Sequence, residues 1–443
     1  MKLFTKDEYI KNESLFLNKW ATFSYESERI SEERDSDLLR TDFQRDRDRI
    51  IHSRAFKRMM HKTQVYSFVE FRNDHTRTRL LHSIEVMQLA TTVGRSLGLN
   101  NDLIEAIALG HDVGHTPFGH SGEYILHRIS KGKEDIKELP EDIIDYWGFK
   151  HNHQSLRIFD KIEKRNGFDD MNLTNQTREG ILKHTEINYS KNRFKDYNEV
   201  LYRDLDYSAL FLDKVPFLEA QVVYICDEIA QQTHDLEDGL RLKDKKEVLE
   251  ILSELRREIN FIDNIYKQYK EKLENMEYYQ ERYFIAKKII DVLIRDLIEN
   301  SVKNLSFYYK KNKSKKRPDR FLITFSEAIE KDFLKFKEKI YRHFINIDEI
   351  KKMDKKAKEI IIFLFRYYLI NPWELPDYTS HKFKYSKIRE NIKILSDESK
   401  EEIKRKIYSK EFFRELIDYI AGMTDFYAID LYNKLKTKNG VLL

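Results

Sequence analysis

Apolar residues recur at the three- and four-residue spacing of helices along most of this chain. The spacing predicts helices over residues 44–66, 76–97, 103–112 and 217–231, and a further helix that begins near residue 120. Three glycines and a proline interrupt the pattern between residues 110 and 119, so the segment 115–118 is predicted to be a loop. We therefore expect an all-α fold.

The part of the chain beyond about residue 240 is also helical in pattern and is rich in lysine. Its clearest amphipathic helix covers residues 276–305, and residues 310–317 form the one strong basic run. Residues 131–145 and 186–208 are charged and poorly patterned, which predicts surface connections. Composition alone would place a domain boundary near residue 240.

Composition narrows the class of protein. The 443 residues include only 13 glycines and 6 prolines, whereas 28 phenylalanines and 26 tyrosines supply bulky side chains for packing long helices together. The 80 basic and 76 acidic residues leave a net charge of +4, which argues against nucleic acid as the main partner. The one cysteine, Cys226, excludes an internal disulfide and is expected to be a buried thiol in a reducing compartment.

The chain shows no targeting or membrane signal. Its first residues lack the apolar core of a signal peptide, and no apolar run approaches the length of a membrane span. The sequence therefore predicts a soluble, cytoplasmic protein with no membrane contact.

The most informative chemistry lies at the end of an apolar run, where His111 and Asp112 stand side by side. His82 and Asp227 lie on two further apolar helical patterns, where an unpaired charge would be costly to bury. An isolated His-Asp pair is most often a surface or capping feature, but the ordered set of two histidines and two aspartates indicates a divalent cation. Mn²⁺ or Mg²⁺ suits this mixed nitrogen and oxygen set, with Fe²⁺ or Co²⁺ as alternatives.

Several longer segments sharpen this interpretation. They read RDRDRIIHS at 45–53, KTQV at 62–65, RTRLLHS at 77–83, GHDVGHTPFGH at 110–120, EAQVV at 219–223 and DYIAGMTD at 418–425. Together they resemble the deoxyguanosine triphosphate triphosphohydrolases of the HD superfamily, and the resemblance spans roughly residues 39–435. It implies an N-terminal extension over 1–38, an HD-domain helical core over 39–240, and an elaborated helical region over 241–443 that packs on the core.

The resemblance also assigns roles around the cation. It makes His82, His111, Asp112 and Asp227 the metal ligands, and it makes His120 and Glu123 the catalytic pair, with His115 nearby. His120 and Glu123 are three residues apart and share a helix face, where the carboxylate can fix the tautomer of the imidazole. Without the metal set, Glu123 would be read as a first-turn residue favoured by the helix dipole, and His120 as a cap.

Substrate contacts follow in the same way. Arg79 lies one helical turn before His82, so its guanidinium can face the metal site and bind phosphate in a bidentate manner. The remaining contacts are implied by the resemblance alone: His151, Asn152 and Lys183 for phosphate, and Gln64 and Asp235 for the sugar. Relatives usually carry a tyrosine where this chain has Gln231, which weakens the expected selectivity for deoxyribose.

The activity implied is hydrolysis of dGTP, and possibly other dNTPs, to deoxynucleoside and inorganic triphosphate, which would control dNTP pools. The alternatives are an HD phosphohydrolase for another nucleotide, or a nucleotide-sensing or single-strand-binding protein on an inactive HD core. The basic run at 310–317 is compatible with weak single-stranded nucleic acid binding, but its sequence favours a solvated loop because no interleaved aromatic residues support base stacking there. The resemblance also implies a homo-oligomer, a hexamer or tetramer, with an allosteric nucleotide.

Overall fold

A computed structural model gives the structure of the protein and describes residues 4–33, 37–64, 77–164, 170–185, 202–313, 317–379, 385–392 and 395–438. These residues form 19 α-helices, and their only β pairing is two isolated bridges. The prediction of an all-α fold is confirmed.

The helices follow one another in chain order. The first nine are α1 (Lys6–Phe16), α2 (Asp42–His52), α3 (Arg54–Arg58), α4 (Arg79–Leu97), α5 (Asn101–Gly110), α6 (Gly119–Ser130), α7 (His151–Arg157), α8 (Asn175–Leu182) and α9 (Leu218–Arg241). The other ten are α10 (Lys245–Glu258), α11 (Asn260–Gln268), α12 (Lys270–Leu273), α13 (Tyr278–Lys311), α14 (Glu327–Ile340), α15 (Asp348–Ile370), α16 (Tyr385–Ile392), α17 (Asp397–Ile407), α18 (Lys410–Ala421) and α19 (Asp425–Lys438).

Local capping explains where the predicted helices differ from the observed ones. The helix predicted over 44–66 is wrong as one element, because Ser53 adopts an extended backbone and its hydroxyl accepts a hydrogen bond from the amide of Phe56. The hydroxyl of Thr78 caps α4 in the same way, so this helix begins at Arg79 rather than near residue 76. Gly98, with φ of 65°, ends α4 in the left-handed conformation that glycine tolerates.

One large core joins the two halves of the chain. Apolar side chains of α4, α5 and α9 pack with those of α10, α11, α13 and α14 in a single buried cluster. Helix α9 also runs without a break through residue 240. The boundary expected there from composition is therefore absent, and the helices after it extend the core.

A second core attaches the end of the chain to α6. It contains Leu126 of α6, Leu364 of α15 and Ile417 of α18, all fully buried. Ile143 and Ile144 belong to the same cluster, so the prediction of a surface connection over 131–145 fails at these side chains, although most residues of 131–142 are exposed or partly exposed. The expected packing of the C-terminal helices on the HD core is confirmed.

The other predicted surface connection, 186–208, lies largely outside the described residues. Its described part contains Tyr202 and Leu205, which are buried against Leu156 and Leu182 in a smaller apolar cluster. Within 202–208 the prediction of a surface connection fails at these two core side chains, whereas Arg203, Asp204, Asp206 and Ser208 are exposed.

The N-terminal segment is tied to the same core. The side chain of Glu13 accepts hydrogen bonds from the amide of Ser24 and from Asn100, and Thr22 donates to the buried carboxylate of Glu219 on α9.

No helix among the described residues combines the length and the apolar character needed to span a bilayer.

Candidate active site

Three packed helices bring the four predicted metal ligands together. His82 lies on the first turn of α4, His111 and Asp112 follow the end of α5, and Asp227 lies in the middle of α9. Helix α5 ends at Gly110, where an added Cβ would lie 2.7 Å from a side-chain atom of Ile181. The close approach of α5 and α8 therefore favours glycine directly before the His-Asp pair.

Nitrogen and carboxylate oxygen atoms converge in this cluster. His82 Nε2 lies 2.9 Å from Asp227 Oδ1, and His111 Nε2 lies 3.6 Å from the same oxygen and 3.4 Å from Asp112 Oδ1. Burial alone would lower the pKa of His111, but the charges of Asp112 and Asp227 outweigh it and raise the pKa to about 9. The cluster thus favours positive charge at a position from which water is largely excluded.

The donor set fits a divalent cation. Among the described residues, His111 Nε2 is buried without a hydrogen-bond partner, and it points toward two carboxylate oxygens. Two imidazoles and two carboxylates match the ligand preference of Mn²⁺ and related ions and leave coordination positions open. The residues present therefore suit the metal that the sequence implies.

His184, at the C-terminal end of α8, joins the cluster and was not predicted. Its ring centroid lies 4.9 Å from that of His111, and its Nε2 lies 3.1 Å from His151 Nε2. In combination with His111 and Asp227 it forms another possible ligand group. A lone histidine after a helix carries no spacing signal, although its position next to Lys183 in a segment already singled out pointed to it.

Arg79 and His115 surround Asp112. Arg79 is buried, and its Nη1 donates to Asp112 Oδ2 at 2.8 Å. His115 Nε2 lies 3.1 Å from the other oxygen, Oδ1. Both residues were predicted from the sequence, and the structure brings both to the cluster. The guanidinium fixes one carboxylate oxygen, which leaves the other directed toward His111.

Glu123 pairs more closely with His151 than with its predicted partner. Glu123 Oε2 lies 2.7 Å from His151 Nδ1 and 3.9 Å from His120 Nδ1. Burial alone would raise the pKa of Glu123, but the hydrogen bond and charge of His151 outweigh it and lower the pKa. His151 also stacks on His115 with ring centroids 3.8 Å apart. The carboxylate is thus ionised and fixed by His151, whereas the side chain of His120 is 68% exposed.

The contacts of His151 and His184 require an additional proton or a cation. The Nδ1 of His151 donates to Glu123, and the Nδ1 of His184 donates to the carbonyl of Ile181. Each neutral imidazole has only one N–H, so both would face each other with lone pairs across the 3.1 Å gap between their Nε2 atoms. Burial and the nearby His111 lower the pKa of His184, which disfavours an added proton, whereas a cation held by Asp112, His151 and His184 satisfies this contact.

The C-terminal helices hold the loop 115–118, which contains His115. Asp425, at the start of α19, accepts hydrogen bonds from the amide and hydroxyl of Thr63 and from the amide of Phe118. Phe118 has a positive φ of 64°, a conformation that costs energy for a side chain of this size. The buried ammonium of Lys62 donates to the carbonyls of His115 and Ala421. The C-terminal helices therefore fix the loop predicted over 115–118.

We expect Asp425→Ala to lower the free energy of unfolding by about 1–3 kcal/mol and to lower turnover. The substitution leaves buried donors on Thr63 and Phe118 without an acceptor, and it releases the loop next to His115. Urea unfolding and steady-state kinetics measure the two effects. Asp430→Ala on the same helix is the control, because the side chain of Asp430 is 39% exposed and pairs with Lys434. Equal stability and turnover in the two variants would contradict this role of Asp425.

A cavity of about 560 Å³ adjoins the cluster through His120. Four predicted site residues line it: Gln64, His120, Gln231 and Asp235. Burial and the nearby charge of Asp238 raise the pKa of Asp235 to about 7. The opposite wall comes from α14 and α15 and the turn between them. The C-terminal region thus supplies half of the cavity beside the His-Asp cluster.

Two predicted phosphate contacts make structural hydrogen bonds instead. The ammonium of Lys183 is buried and donates to Glu179 and to the carbonyls of Phe211 and Lys214, which uses all three of its protons. Asn152 is fully buried and donates to the carbonyl of Leu182. The structure does not bring Lys183 into the cluster, and it places Asn152 where it fixes α8. Their contact with phosphate stays a prediction.

The basic run predicted for nucleic acid is partly accounted for by other contacts. Lys310 and Lys311 end α13, and Arg317 donates to the buried carboxylate of Glu179 at 2.8 Å. Residues 314–316 lie outside the described residues. Binding of single-stranded nucleic acid by this run stays a prediction.

Comparisons with known proteins agree with this geometry. The HD domain family matches residues 79–232, and the family described as a phosphohydrolase-associated domain matches residues 323–434. A deoxyguanosinetriphosphate triphosphohydrolase-like protein of Rhizobium johnstonii is 36% identical over 406 residues, which is 90% of each chain. Proteins with the same description from Geobacter sulfurreducens (34% identity over 89% of this chain and 88% of the relative) and Ralstonia pickettii (36%, with the same coverage) are similar over almost as much. The chain therefore belongs to the HD-domain phosphohydrolase family, among its deoxyguanosinetriphosphate triphosphohydrolase-like members.

Proposed function

We propose that this protein hydrolyses a deoxynucleoside triphosphate, with dGTP as the first candidate, to deoxynucleoside and inorganic triphosphate, and so controls dNTP pools. One observation carries the proposal: a buried set of imidazoles and carboxylates with an affinity for positive charge opens, at His120, onto a cavity large enough for a nucleoside. The described function of the relatives supports the choice of substrate.

His82, His111, Asp112 and Asp227 hold the metal in this proposal, with Mn²⁺ or Mg²⁺ as the first choice. When bound, the ion supplies a Lewis acid that polarises phosphate oxygens and lowers the pKa of a coordinated water. Arg79 already contacts Asp112, and its buried guanidinium can also bind a phosphate oxygen brought to the cluster.

The reaction breaks the bond between the α-phosphorus and the 5′-oxygen of the nucleoside. A water oxygen bonds to the α-phosphorus, the electron pair of the broken bond stays on the 5′-oxygen, and that oxygen must receive a proton to leave as a hydroxyl. Glu123 serves this step by holding a histidine in a fixed tautomer. We assign the proton transfer to the group of Glu123, His120 and His151, with His115 stacked against His151.

The two histidines beside Glu123 have different roles in this proposal. His120 faces the cavity and is the ring that a bound nucleotide can contact directly. His151 is held by Glu123 at 2.7 Å, and its Nε2 lies 3.1 Å from that of His184. We propose that His151 and Glu123 keep a proton available near the cluster, and that His120 delivers it to the leaving oxygen.

The sugar and base lie in the cavity beside Gln64, Gln231 and Asp235. The side-chain oxygen of Gln64 is buried without a hydrogen-bond partner among the described residues, so it can accept from a sugar hydroxyl. Asp235, with a pKa near 7, is well placed to exchange a hydrogen bond with a second hydroxyl.

We expect Gln231→Tyr to strengthen discrimination against ribonucleotides. The glutamine can hydrogen-bond to a 2′-hydroxyl, whereas a tyrosine ring would form a flat wall against it. The expected change corresponds to one hydrogen bond of about 1 kcal/mol, or roughly fivefold in the ratio of kcat/KM for dGTP and GTP. Both nucleotides are measured with both proteins. An unchanged ratio would show that the sugar is recognised elsewhere, at Gln64 or Asp235.

The proposal is tested by incubating the purified protein with each dNTP and each NTP in the presence of Mn²⁺ or Mg²⁺. Chromatography of the products should show a nucleoside and inorganic triphosphate, with dGTP or another dNTP as the preferred substrate. Release of phosphate or pyrophosphate would contradict the proposed reaction. Preference for a different phosphorylated nucleotide would agree with the proposed active site and change only the substrate assigned to it. The expected homo-oligomer and allosteric nucleotide stay predictions.

A further inference from the structure

Behind the cluster, His82 is the second member of a chain of four hydrogen-bonded side chains. Asp227 Oδ1 lies 2.9 Å from His82 Nε2, His82 Nδ1 lies 3.1 Å from His234 Nδ1, and His234 Nε2 lies 3.0 Å from Glu85 Oε2. Arg77 Nε donates to the same oxygen of Glu85 at 2.8 Å. His234 is buried, and no feature of the sequence pattern singled out either His234 or Glu85.

Counting protons along this chain leaves two tautomers for His82. The chain has three contacts and ends in carboxylates that accept only, whereas two neutral imidazoles supply just two protons. When His234 donates from Nε2 to Glu85, its Nδ1 offers a lone pair to His82. His82 can then donate either from Nδ1 to His234 or from Nε2 to Asp227, and the other contact lacks a proton. A cation between His82 Nε2 and Asp227 requires the first arrangement, in which all three contacts are satisfied.

We infer that His234 and Glu85 are positioning residues that hold His82 in the tautomer that binds a divalent cation. The inference rests on the metal centre of the proposed function and adds two residues that act through His82. Arg77 keeps Glu85 ionised and oriented, and it also contacts Glu237 and Asp238, so the support reaches from α4 to α9. Support of this kind orients a ligating imidazole and increases its basicity.

The test measures Mn²⁺ affinity of the full-length protein by following free Mn²⁺ with electron paramagnetic resonance. His234→Phe keeps the ring shape and removes both hydrogen bonds, so it should weaken binding by about 10–100-fold. His234→Gln retains an acceptor for His82 and a donor for Glu85, so most of the affinity should return. His343→Phe is the matched control, because His343 forms a similar pair with Glu254 on another face of the protein. Its affinity should equal that of the wild type.

A second measurement reports the tautomer directly. Nitrogen chemical shifts of 15N-histidine-labelled protein without metal should show a proton on His82 Nδ1 in the wild type. In His234→Phe this proton loses its acceptor and should move to Nε2, which faces Asp227. If His234→Phe folds poorly, Glu85→Leu replaces it; Glu85 is partly exposed, and its loss should weaken Mn²⁺ binding in the same direction.

The outcomes separate this inference from the proposed function. Wild-type affinity in a folded His234→Phe or Glu85→Leu variant, or an unprotonated Nδ1 in the wild type, would overturn the positioning role and leave the metal centre intact. Equal losses in His234→Phe and His343→Phe would also overturn it. A wild-type protein that binds no Mn²⁺ would instead overturn the metal centre, and the positioning role with it.

Discussion

Asp227→Ala is expected to abolish hydrolysis and to remove the bound divalent cation, while helical content stays close to that of the wild type. Among the described residues, Asp227 is the carboxylate that lies within 4 Å of both His82 and His111, so its loss removes the oxygen around which the two imidazoles are arranged. The polar groups left unpaired should lower the free energy of unfolding by about 1–3 kcal/mol. Metal content, turnover and circular dichroism are measured on the same preparation.

The control for this variant is Asp291→Ala on α13. Asp291 is exposed and pairs with Lys288 one helical turn away. The double variant His111→Ala with Asp112→Ala should reproduce the loss seen with Asp227→Ala. Full activity in either active-site variant would show that the cluster is not a metal centre.

The second large effect is expected for Glu123→Gln, which should lower kcat by about 10²–10⁴-fold with metal content unchanged. Glu123 is the group that contacts both His151 and His120, so its charge supports proton transfer whichever ring delivers the proton. The amide keeps the size of the side chain and removes the charge. Turnover and bound metal are measured together. A loss of turnover with bound metal retained identifies a role in proton transfer.

Two further variants distinguish the histidines. His120→Ala should lower kcat to a similar extent with metal retained, because His120 lines the cavity. His151→Ala also removes the partner of His184 and should lower kcat and shift its pH dependence. A Glu123→Gln enzyme with wild-type turnover, or one that only raises KM, would contradict the assignment of Glu123 to catalysis.

The sequence predicted the metal cluster because its members carry local signals. His111 and Asp112 follow an apolar run directly, and His82 and Asp227 lie on helical patterns that would not bury an unpaired charge. All four converge in the structure because α4, α5 and α9 share one core. The all-α fold followed from periodicity in the same way.

The partners of these residues could not be predicted from the sequence. His184 and His234 are single histidines without spacing to any other ligand, and their contacts depend on how α8 and α9 pack against α4 and α5. The pairing of Glu123 with His151 joins residues 28 positions apart, whereas helical spacing favoured His120. Ser53 likewise divides a helix by capping, although the apolar pattern continues through it.

Charge patterning does not reveal core side chains that lie among polar ones. Ile143 and Ile144 follow a charged stretch, yet they fill the second core against the C-terminal helices. The phosphate contact that the resemblance implies for Lys183 stays a prediction, and in the structure Glu179 and two carbonyls accept its protons. In both cases the tertiary partner, which the local sequence does not reveal, determines the role of the residue.

Hydrolysis of dGTP in 18O-labelled water tests the central claim most directly. If a water oxygen attacks the α-phosphorus beside the His-Asp cluster, mass spectrometry should find the label in inorganic triphosphate and unlabelled oxygen in the deoxyguanosine. Label in the nucleoside, or in released phosphate or pyrophosphate, would show that a different bond is cleaved and would contradict the proposed chemistry of this site.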